Sequence, residues 1–91
     1  MAGLLSGRHA IVTGAGSGVG AAVALALADA GASVTIVGRR LAALEEVARA
    51  HVRLSPAVAD VTDAESLRQV MTGAVATSGP VAIVVANAGA A

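Results

Sequence analysis

At residues 13–20 the chain reads TGAGSGVG, a stretch that contains four glycines. A short apolar run at residues 10–13 leads into these glycines and indicates a buried strand. Within residues 19–30 the apolar positions 19, 22, 23, 26 and 27 fall at helical spacing, and Gly31 supplies the expected C-terminal stop. Residues 13–20, the glycine loop, therefore join a predicted strand to a predicted helix.

The glycine loop has the properties of a phosphate-binding turn. Phosphates can approach a backbone only where side chains are absent, and glycines provide that clearance together with unusual dihedral angles. Free N–H groups and the positive end of the helix dipole then face the anion. The alternative is a plain turn, because glycine-rich turns also join strands to helices without a ligand. The position between strand and helix favours phosphate binding, and the lack of lysine excludes a P-loop NTPase.

The chain continues with alternating strands and helices. Residues 33–37 are rich in β-branched side chains and predict a second strand, and residues 41 to about 50 predict a helix. The inward residues of this helix are predicted to be Leu41, Leu44 and Val47. Residues 52–59 predict a third strand, which we expect at a sheet edge because Pro56 cannot donate to a ladder.

A third helix and a fourth strand complete the pattern. Thr62 and Glu65 match a Thr-x-x-Glu capping box, which predicts the start of the helix. The inner stripe of this helix is predicted to comprise Leu67, Val70, Met71, Ala74 and Val75. Residues 78–80 read SGP and end the helix, and residues 81–86 predict a wholly apolar strand. This alternation predicts one α/β unit with a parallel sheet.

Composition excludes several kinds of partner. The net charge is +0, with six basic and six acidic residues and no charge run, so neither nucleic acid nor a membrane is a predicted partner. The absence of cysteine excludes disulfides and thiolate sites, and no metal site is predicted. No segment reaches the roughly 18–20 apolar residues of a membrane span, and the start lacks the basic region of a signal peptide. A cytoplasmic protein is expected.

Two arginines, Arg39 and Arg40, follow the second predicted strand. In NAD-binding Rossmann units, an acidic residue about 20 positions beyond the glycine loop accepts hydrogen bonds from the ribose hydroxyls. No acid is in reach here, and the Arg39 guanidinium can instead pair with a ribose 2′-phosphate through two hydrogen bonds. The alternative is that both arginines are merely solvated. The glycine loop upstream favours the phosphate role, and hence NADP over NAD.

Together these features resemble the short-chain dehydrogenase/reductase family. The pattern TGxxxGxG at residues 13–20 is similar to the glycine loop of that family, and LSGRHAIV at residues 5–12 is similar to the segment before it. Asp60-Val61 and Asn87-Ala88-Gly89 fit two later landmarks in order and spacing. The resemblance covers essentially the whole chain and implies an incomplete Rossmann-type doubly wound parallel sheet with strand order 3-2-1-4. Residues 1–91 would be the amino-terminal part of a single dinucleotide-binding domain.

The resemblance also implies roles for individual residues. The pyrophosphate and the adjacent ribose would be surrounded by Gly14, Ser17, Gly18, Val19 and Gly20. Arg39 would select NADP, and Asp60 would accept a hydrogen bond from the adenine amino group while the Val61 backbone faces the ring. Asn87 and Gly89 would lie beside the adenosine ribose, and Asn87 would also tie neighbouring strands together. Taken alone, Asp60 and Asn87 are also typical turn residues.

The catalytic groups that the resemblance implies are a Ser and a Tyr-x-x-x-Lys pair beyond the point where this chain ends. The 91 residues contain neither Tyr nor Lys, and no catalytic residue is assigned. His9 and His51 are predicted to be surface residues. The predicted function is hydride transfer between NADP and a carbonyl or alcohol, with this truncated chain carrying the cofactor-binding half and inactive alone.

Two other functions are open. One is a short nucleotide-binding or strand-pairing protein without catalysis, whose exposed fourth strand would self-associate if the chain ends at Ala91. The other is a Rossmann unit for a different adenosine ligand, such as FAD or S-adenosylmethionine. Arg39, at a position where those ligands favour an acid, argues against the second.

Overall fold

Four short runs of small and β-branched apolar residues form a parallel sheet. The computed structural model describes residues 3–87. Its strands and helices are β1 (His9–Thr13), α1 (Gly18–Asp29), β2 (Ser33–Gly38), α2 (Leu41–Ala48), β3 (Leu54–Val58), α3 (Ala64–Ser78) and β4 (Val81–Val85). The strand order is β3-β2-β1-β4, which confirms the predicted Rossmann-type α/β fold with order 3-2-1-4. No helix in this part of the chain is long and apolar enough to cross a bilayer.

The central strand β1 is covered on both faces of the sheet. Ala10 and Val12 pack in a core with residues of α1 and α2, whereas Ile11 packs with Ala74 of α3. Alternate residues of a strand point to opposite faces, so one strand contributes to both cores. This double coverage explains why β1 is a continuous apolar run rather than an alternating one.

Small residues form the buried face of α1. Gly20, Ala24 and Ala28 are its buried positions, and their spacing of four places them on one side of the helix. Leu27 packs against the same core, but Val19 is 69% exposed, so the helical spacing in the sequence marks the buried face only in part. Almost every residue of α1 is apolar, and small side chains decide the face because they let the helix lie close to the sheet.

Two residues predicted to face inward, Leu41 and Val75, lie in the end turns of their helices and are exposed, and Val52 lies outside the strand that was predicted to begin with it. Leu41, the first residue of α2, is 49% exposed, while Leu44 one turn later is fully buried. Val52 is 94% exposed because β3 starts two residues later than predicted. Val75 is 42% exposed near the end of α3. The edge position of β3 that Pro56 predicted is confirmed.

His9 is buried, so the prediction that it lies on the surface is wrong. Its ring Nδ1 lies 2.8 Å from the carbonyl oxygen of Gly79, and its Nε2 lies 2.8 Å from the hydroxyl of Thr35. A carbonyl can only accept, so Nδ1 carries the proton, and in the neutral ring Nε2 accepts from Thr35. His51 is half-buried, with its ring 3.5 Å from the carboxylate of Asp29.

The predicted Thr62–Glu65 capping box is also wrong. The N-cap of α3 is Asp63, whose Oδ1 accepts hydrogen bonds from the backbone N–H groups of Glu65 at 3.0 Å and Ser66 at 3.3 Å. The Thr62 hydroxyl donates to Asp60 instead, and the Glu65 side chain bonds within α3. A carboxylate caps a helix as well as a hydroxyl does, and its charge also suits the positive end of the helix dipole.

Candidate nucleotide-binding site

A cleft of about 460 Å³ lies at the carboxyl ends of β1, β2 and β3. Its walls are the glycine loop, the turn from β2 into α2 and the segment after β3. Five predicted site residues line it, namely Gly14, Ser17, Arg39, Asp60 and Val61. Ligands of open α/β sheets bind in this crevice, because the loops at the strand ends diverge there.

The glycine loop holds the first turn of α1 against the end of β1. A methyl group at Gly20 would lie 2.3 Å from the carbonyl oxygen of Gly14 and 2.8 Å from the side-chain nitrogen of Asn87. No side chain fits at these distances, so glycine is required where the helix crosses the loop. At Gly18 the φ angle is +62°, a conformation that L side chains rarely adopt. These two glycines fix the path of the chain into α1.

Hydrogen bonds from Asn87 fasten the end of β4 to the glycine loop. The backbone N–H of Asn87 donates to the Thr13 hydroxyl at 2.9 Å, and this hydroxyl donates to the Val85 carbonyl at 3.5 Å. The side-chain amide of Asn87 donates to the Gly14 carbonyl, also at 3.5 Å. Asn87 therefore links β4 to β1, as expected for a residue that ties neighbouring strands, and its place beside a ribose stays a prediction.

The amino terminus of α1 has no side-chain cap. Its N-cap residue, Ser17, makes no side-chain hydrogen bond to the helix, and no acidic residue lies in the first turn. In α3, by contrast, Asp63 caps the terminus and Glu65 lies in the first turn. Free N–H groups and the helix dipole at an uncapped terminus favour an anion. The start of α1, which meets the cleft at Ser17, can therefore hold phosphate through its backbone.

Asp60 and Arg39 are charged groups of opposite sign in the cleft. The hydroxyl and then the backbone N–H of Thr62 hold the pKa of the Asp60 carboxyl below its usual range, and the positive charge of Arg39 acts in the same direction. The carboxylate is therefore ionised at neutral pH and acts as a hydrogen-bond acceptor. The side chain of Arg39 is exposed, so its guanidinium is accessible to a ligand.

The other predicted residues lie beside the cleft or outside the described part of the chain. Gly18 and Val19 begin α1, and Gly89 is outside the described residues. Sequence reasoning missed Ala43 and Thr62, both of which line the cleft. A methyl group such as that of Ala43 carries no chemical signal in a sequence. Thr62 does carry one, since Asp-x-Thr is a spacing at which an aspartate side chain accepts from its own turn.

The fold and the position of the cleft define a Rossmann-type α/β protein. A family model described as short chain dehydrogenase matches residues 8–91. The chain therefore belongs to the short-chain dehydrogenase family. No curated protein sequence matches the chain.

Similar solved structures are dehydrogenases and reductases. The citronellol catabolism dehydrogenase of Pseudomonas aeruginosa is 33% identical, with a TM-score of 0.86 over 92% of this chain and 37% of its own. The 3-ketoacyl-(acyl-carrier-protein) reductase of Brucella melitensis, solved as a complex with NADH, is 34% identical, with a TM-score of 0.83 over 88% and 33%. The hydroxysteroid dehydrogenase of Escherichia coli is 31% identical, with a TM-score of 0.86 over 90% and 37%. The chain thus spans about a third of the length of these proteins.

Replacing Gly20 with alanine should destabilise the fold. The added methyl group would overlap the Gly14 carbonyl and the Asn87 amide, so the helix and the loop would have to separate. We expect a loss of about 1–3 kcal/mol in the free energy of unfolding, because overpacking outweighs the gain in helix propensity. Urea denaturation followed by circular dichroism measures this loss.

Gly73 provides the matched control for that experiment. It lies within α3, and a methyl group there would meet no atom within 4 Å. Gly73→Ala should therefore raise the free energy of unfolding by about 0.5–1 kcal/mol, the usual gain from removing glycine from a helix. If Gly20→Ala raises the urea midpoint as Gly73→Ala does, or leaves it unchanged, the steric requirement at Gly20 is wrong.

Replacing Thr62 with valine should raise the pKa of the Asp60 carboxyl toward its ordinary value. Valine keeps the backbone N–H but removes the hydroxyl that donates at 2.6 Å. A depressed pKa means that folding favours the carboxylate, so the contact stabilises the fold above the ordinary pKa, and this contribution is lost as the pH falls through the folded value.

An NMR titration of the Asp60 side-chain carbon measures this shift. Thr72→Val, at an exposed position of α3, is the control and should leave the Asp60 titration unchanged. If Asp60 titrates identically in wild type and in Thr62→Val, the hydroxyl of Thr62 is not the cause of the lowered pKa.

Proposed function

We propose that the cleft binds NADP and that the chain is the cofactor-binding part of an oxidoreductase acting on a carbonyl or an alcohol. The observation that carries this proposal is the presence of three different groups in one cleft. They are the open amino terminus of α1, the Arg39 guanidinium and the Asp60 carboxylate. Each group complements a different part of an adenine dinucleotide. Membership of the family, and the NADH bound to the similar Brucella reductase, support a nicotinamide cofactor.

Different parts of the cofactor are assigned to different walls of the cleft. The pyrophosphate and the adjacent ribose are assigned to Gly14, Ser17, Gly18, Val19 and Gly20. The Asp60 carboxylate accepts from the adenine amino group, beside the backbone of Val61. Asn87, which bonds to the Gly14 carbonyl, is assigned to the adenosine ribose. When bound, NADP supplies the hydride chemistry, and the residues of this chain bind and orient it.

The preference for NADP is proposed on the basis of Arg39. This residue follows β2, where NAD-binding Rossmann units carry the acid that accepts from the ribose hydroxyls. A guanidinium there has the opposite preference, since it donates two parallel hydrogen bonds to a phosphate. Arg40 also lines the cleft and adds a second positive charge. Both charges favour a ligand with the extra 2′-phosphate.

Arg39→Asp should reverse the preference between NADPH and NADH. The substitution replaces a donor to phosphate by an acceptor from hydroxyls, and it places a negative charge where the 2′-phosphate would bind. We expect the ratio of the dissociation constant for NADH to that for NADPH to fall by roughly tenfold to a hundredfold, the effect of losing a charged hydrogen bond. Isothermal titration calorimetry with both reduced cofactors measures the ratio.

Arg53→Asp is the control, because it makes the same change in net charge at an exposed residue that does not line the cleft. Its cofactor ratio should equal that of wild type. Equal affinity of wild type for NADPH and NADH would contradict the role of Arg39, and so would an unchanged ratio in Arg39→Asp.

A second candidate function is strand pairing through β4. Within residues 3–87, β4 pairs with β1 on one side and has no strand partner along its other edge. Val84 is 60% exposed on this strand, whose five residues carry no charge. Free backbone groups beside exposed apolar side chains favour pairing with another chain. A second copy can provide such a strand by a symmetric contact.

Val84→Lys should weaken this self-association, because a charge on an edge strand opposes pairing. Sedimentation velocity over a range of protein concentrations measures the average mass. The control is Val58→Lys, which introduces the same side chain at an exposed position on the opposite edge strand, β3. A wild-type chain that stays monomeric at every concentration would exclude pairing through β4.

A further inference from the structure

We propose that Thr62 is a positioning residue that aims the Asp60 carboxylate at the adenine of the bound dinucleotide. The proposal rests on the proposed function, since it assumes that an adenine dinucleotide occupies the cleft. In this role Thr62 acts through Asp60. The Thr62 hydroxyl is not used to cap α3, because the cap of this helix is Asp63. The positioning role therefore gives this hydroxyl a function.

Both hydrogen bonds from Thr62 go to the same oxygen of Asp60. The backbone N–H donates to Oδ1 at 2.9 Å, and the hydroxyl donates to Oδ1 at 2.6 Å. Among residues 3–87 the other carboxylate oxygen, Oδ2, has no hydrogen-bond partner. Rotation of the carboxylate would break both bonds at once, so the pair fixes its plane. Oδ2 is then the oxygen left for a ligand.

The backbone of Asp60 is held separately by the start of α3. Its N–H donates to the Ser66 hydroxyl oxygen at 3.2 Å, and its carbonyl accepts from the N–H of Asp63 at 3.0 Å. The helix therefore sets the position of Asp60, whereas Thr62 sets the direction of its side chain. Asp60 and Thr62 both line the cleft, so this direction determines what the carboxylate can contact there.

A carboxylate held in this way distinguishes adenine from hypoxanthine. Adenine carries an amino group that donates to the carboxylate, whereas hypoxanthine carries a carbonyl oxygen at the same position. Two facing acceptors cannot form a hydrogen bond, and both lose their contacts with water. The bonds from Thr62 also hold the pKa of the Asp60 carboxyl below its usual range, which keeps the acceptor ionised. Loss of the Thr62 hydroxyl should therefore weaken base discrimination.

Discrimination is measured by calorimetric titration of the 91-residue chain with NADPH and with reduced nicotinamide hypoxanthine dinucleotide phosphate. We expect wild type to bind NADPH more tightly. Thr62→Val should reduce the ratio of the dissociation constant for the hypoxanthine cofactor to that for NADPH by roughly threefold to tenfold, the effect of one hydrogen bond. Thr62→Ser keeps the hydroxyl and should restore most of the ratio, and the exposed control Thr72→Val should retain the wild-type value.

Asp60→Asn separates the positioning role from the adenine contact itself. The asparagine oxygen can still accept from Thr62, which turns the amide nitrogen toward the cleft and shifts the preference toward the hypoxanthine cofactor. A shifted ratio in Asp60→Asn together with a wild-type ratio in Thr62→Val would overturn the positioning role and leave the adenine contact standing. An unchanged ratio in Asp60→Asn would overturn both the positioning role of Thr62 and the adenine contact of Asp60. A failure of wild type to bind NADPH would overturn them as well.

Discussion

The arrangement of this molecule depends on one close contact, between the first turn of α1 and the loop that leaves β1. A methyl group at Gly20 would stand 2.3 Å from the Gly14 carbonyl oxygen, so the helix can lie here only without a side chain. The contact brings the uncapped amino terminus of α1 to the cleft. It also leaves room for Asn87 to reach the Gly14 carbonyl from the end of β4. The link from Asn87 to the glycine loop and the position of the uncapped α1 terminus at the cleft thus depend on the same missing side chain.

The order of the elements could be predicted because β1 and β2 are central strands, buried on both faces, and therefore appear as continuous apolar runs. The buried face of α1 could not be predicted from periodicity, since an almost entirely apolar helix has no polar face to mark the outside. Gly20 and Ala24 are inward because they are small, which matters only once helix and sheet meet. His9 could not be predicted for a related reason. Its partners, Thr35 and Gly79, are distant in sequence and become neighbours only in the folded sheet.

At the site, the residues that a ligand would contact were easier to predict than those that position them. Arg39 and Asp60 follow strand ends, and their charges indicate what they can bind. The start of α3 was harder, because Thr62 and Asp63 are consecutive residues and both are of types that cap helices. Of the two, Asp63 caps the helix, while the Thr62 hydroxyl donates to Asp60. Such a choice involves three side chains at once, and a motif defined by two positions cannot represent it.

The two helix termini beside the cleft differ in a way that links binding to stability. At α3, Asp63 satisfies backbone N–H groups internally, so the turn that carries Asp60 is fixed without a ligand. At α1, Ser17 provides no such bond, and a missing cap costs a helix about 1 kcal/mol. An anion that binds the α1 terminus supplies the missing partner. Because such a ligand binds the folded chain and not the unfolded one, it raises the free energy of unfolding by an amount that grows with ligand concentration relative to the dissociation constant. The turn before α3, which is fixed by Asp63, would then select the base, while the uncapped start of α1 would gain stability from the phosphates.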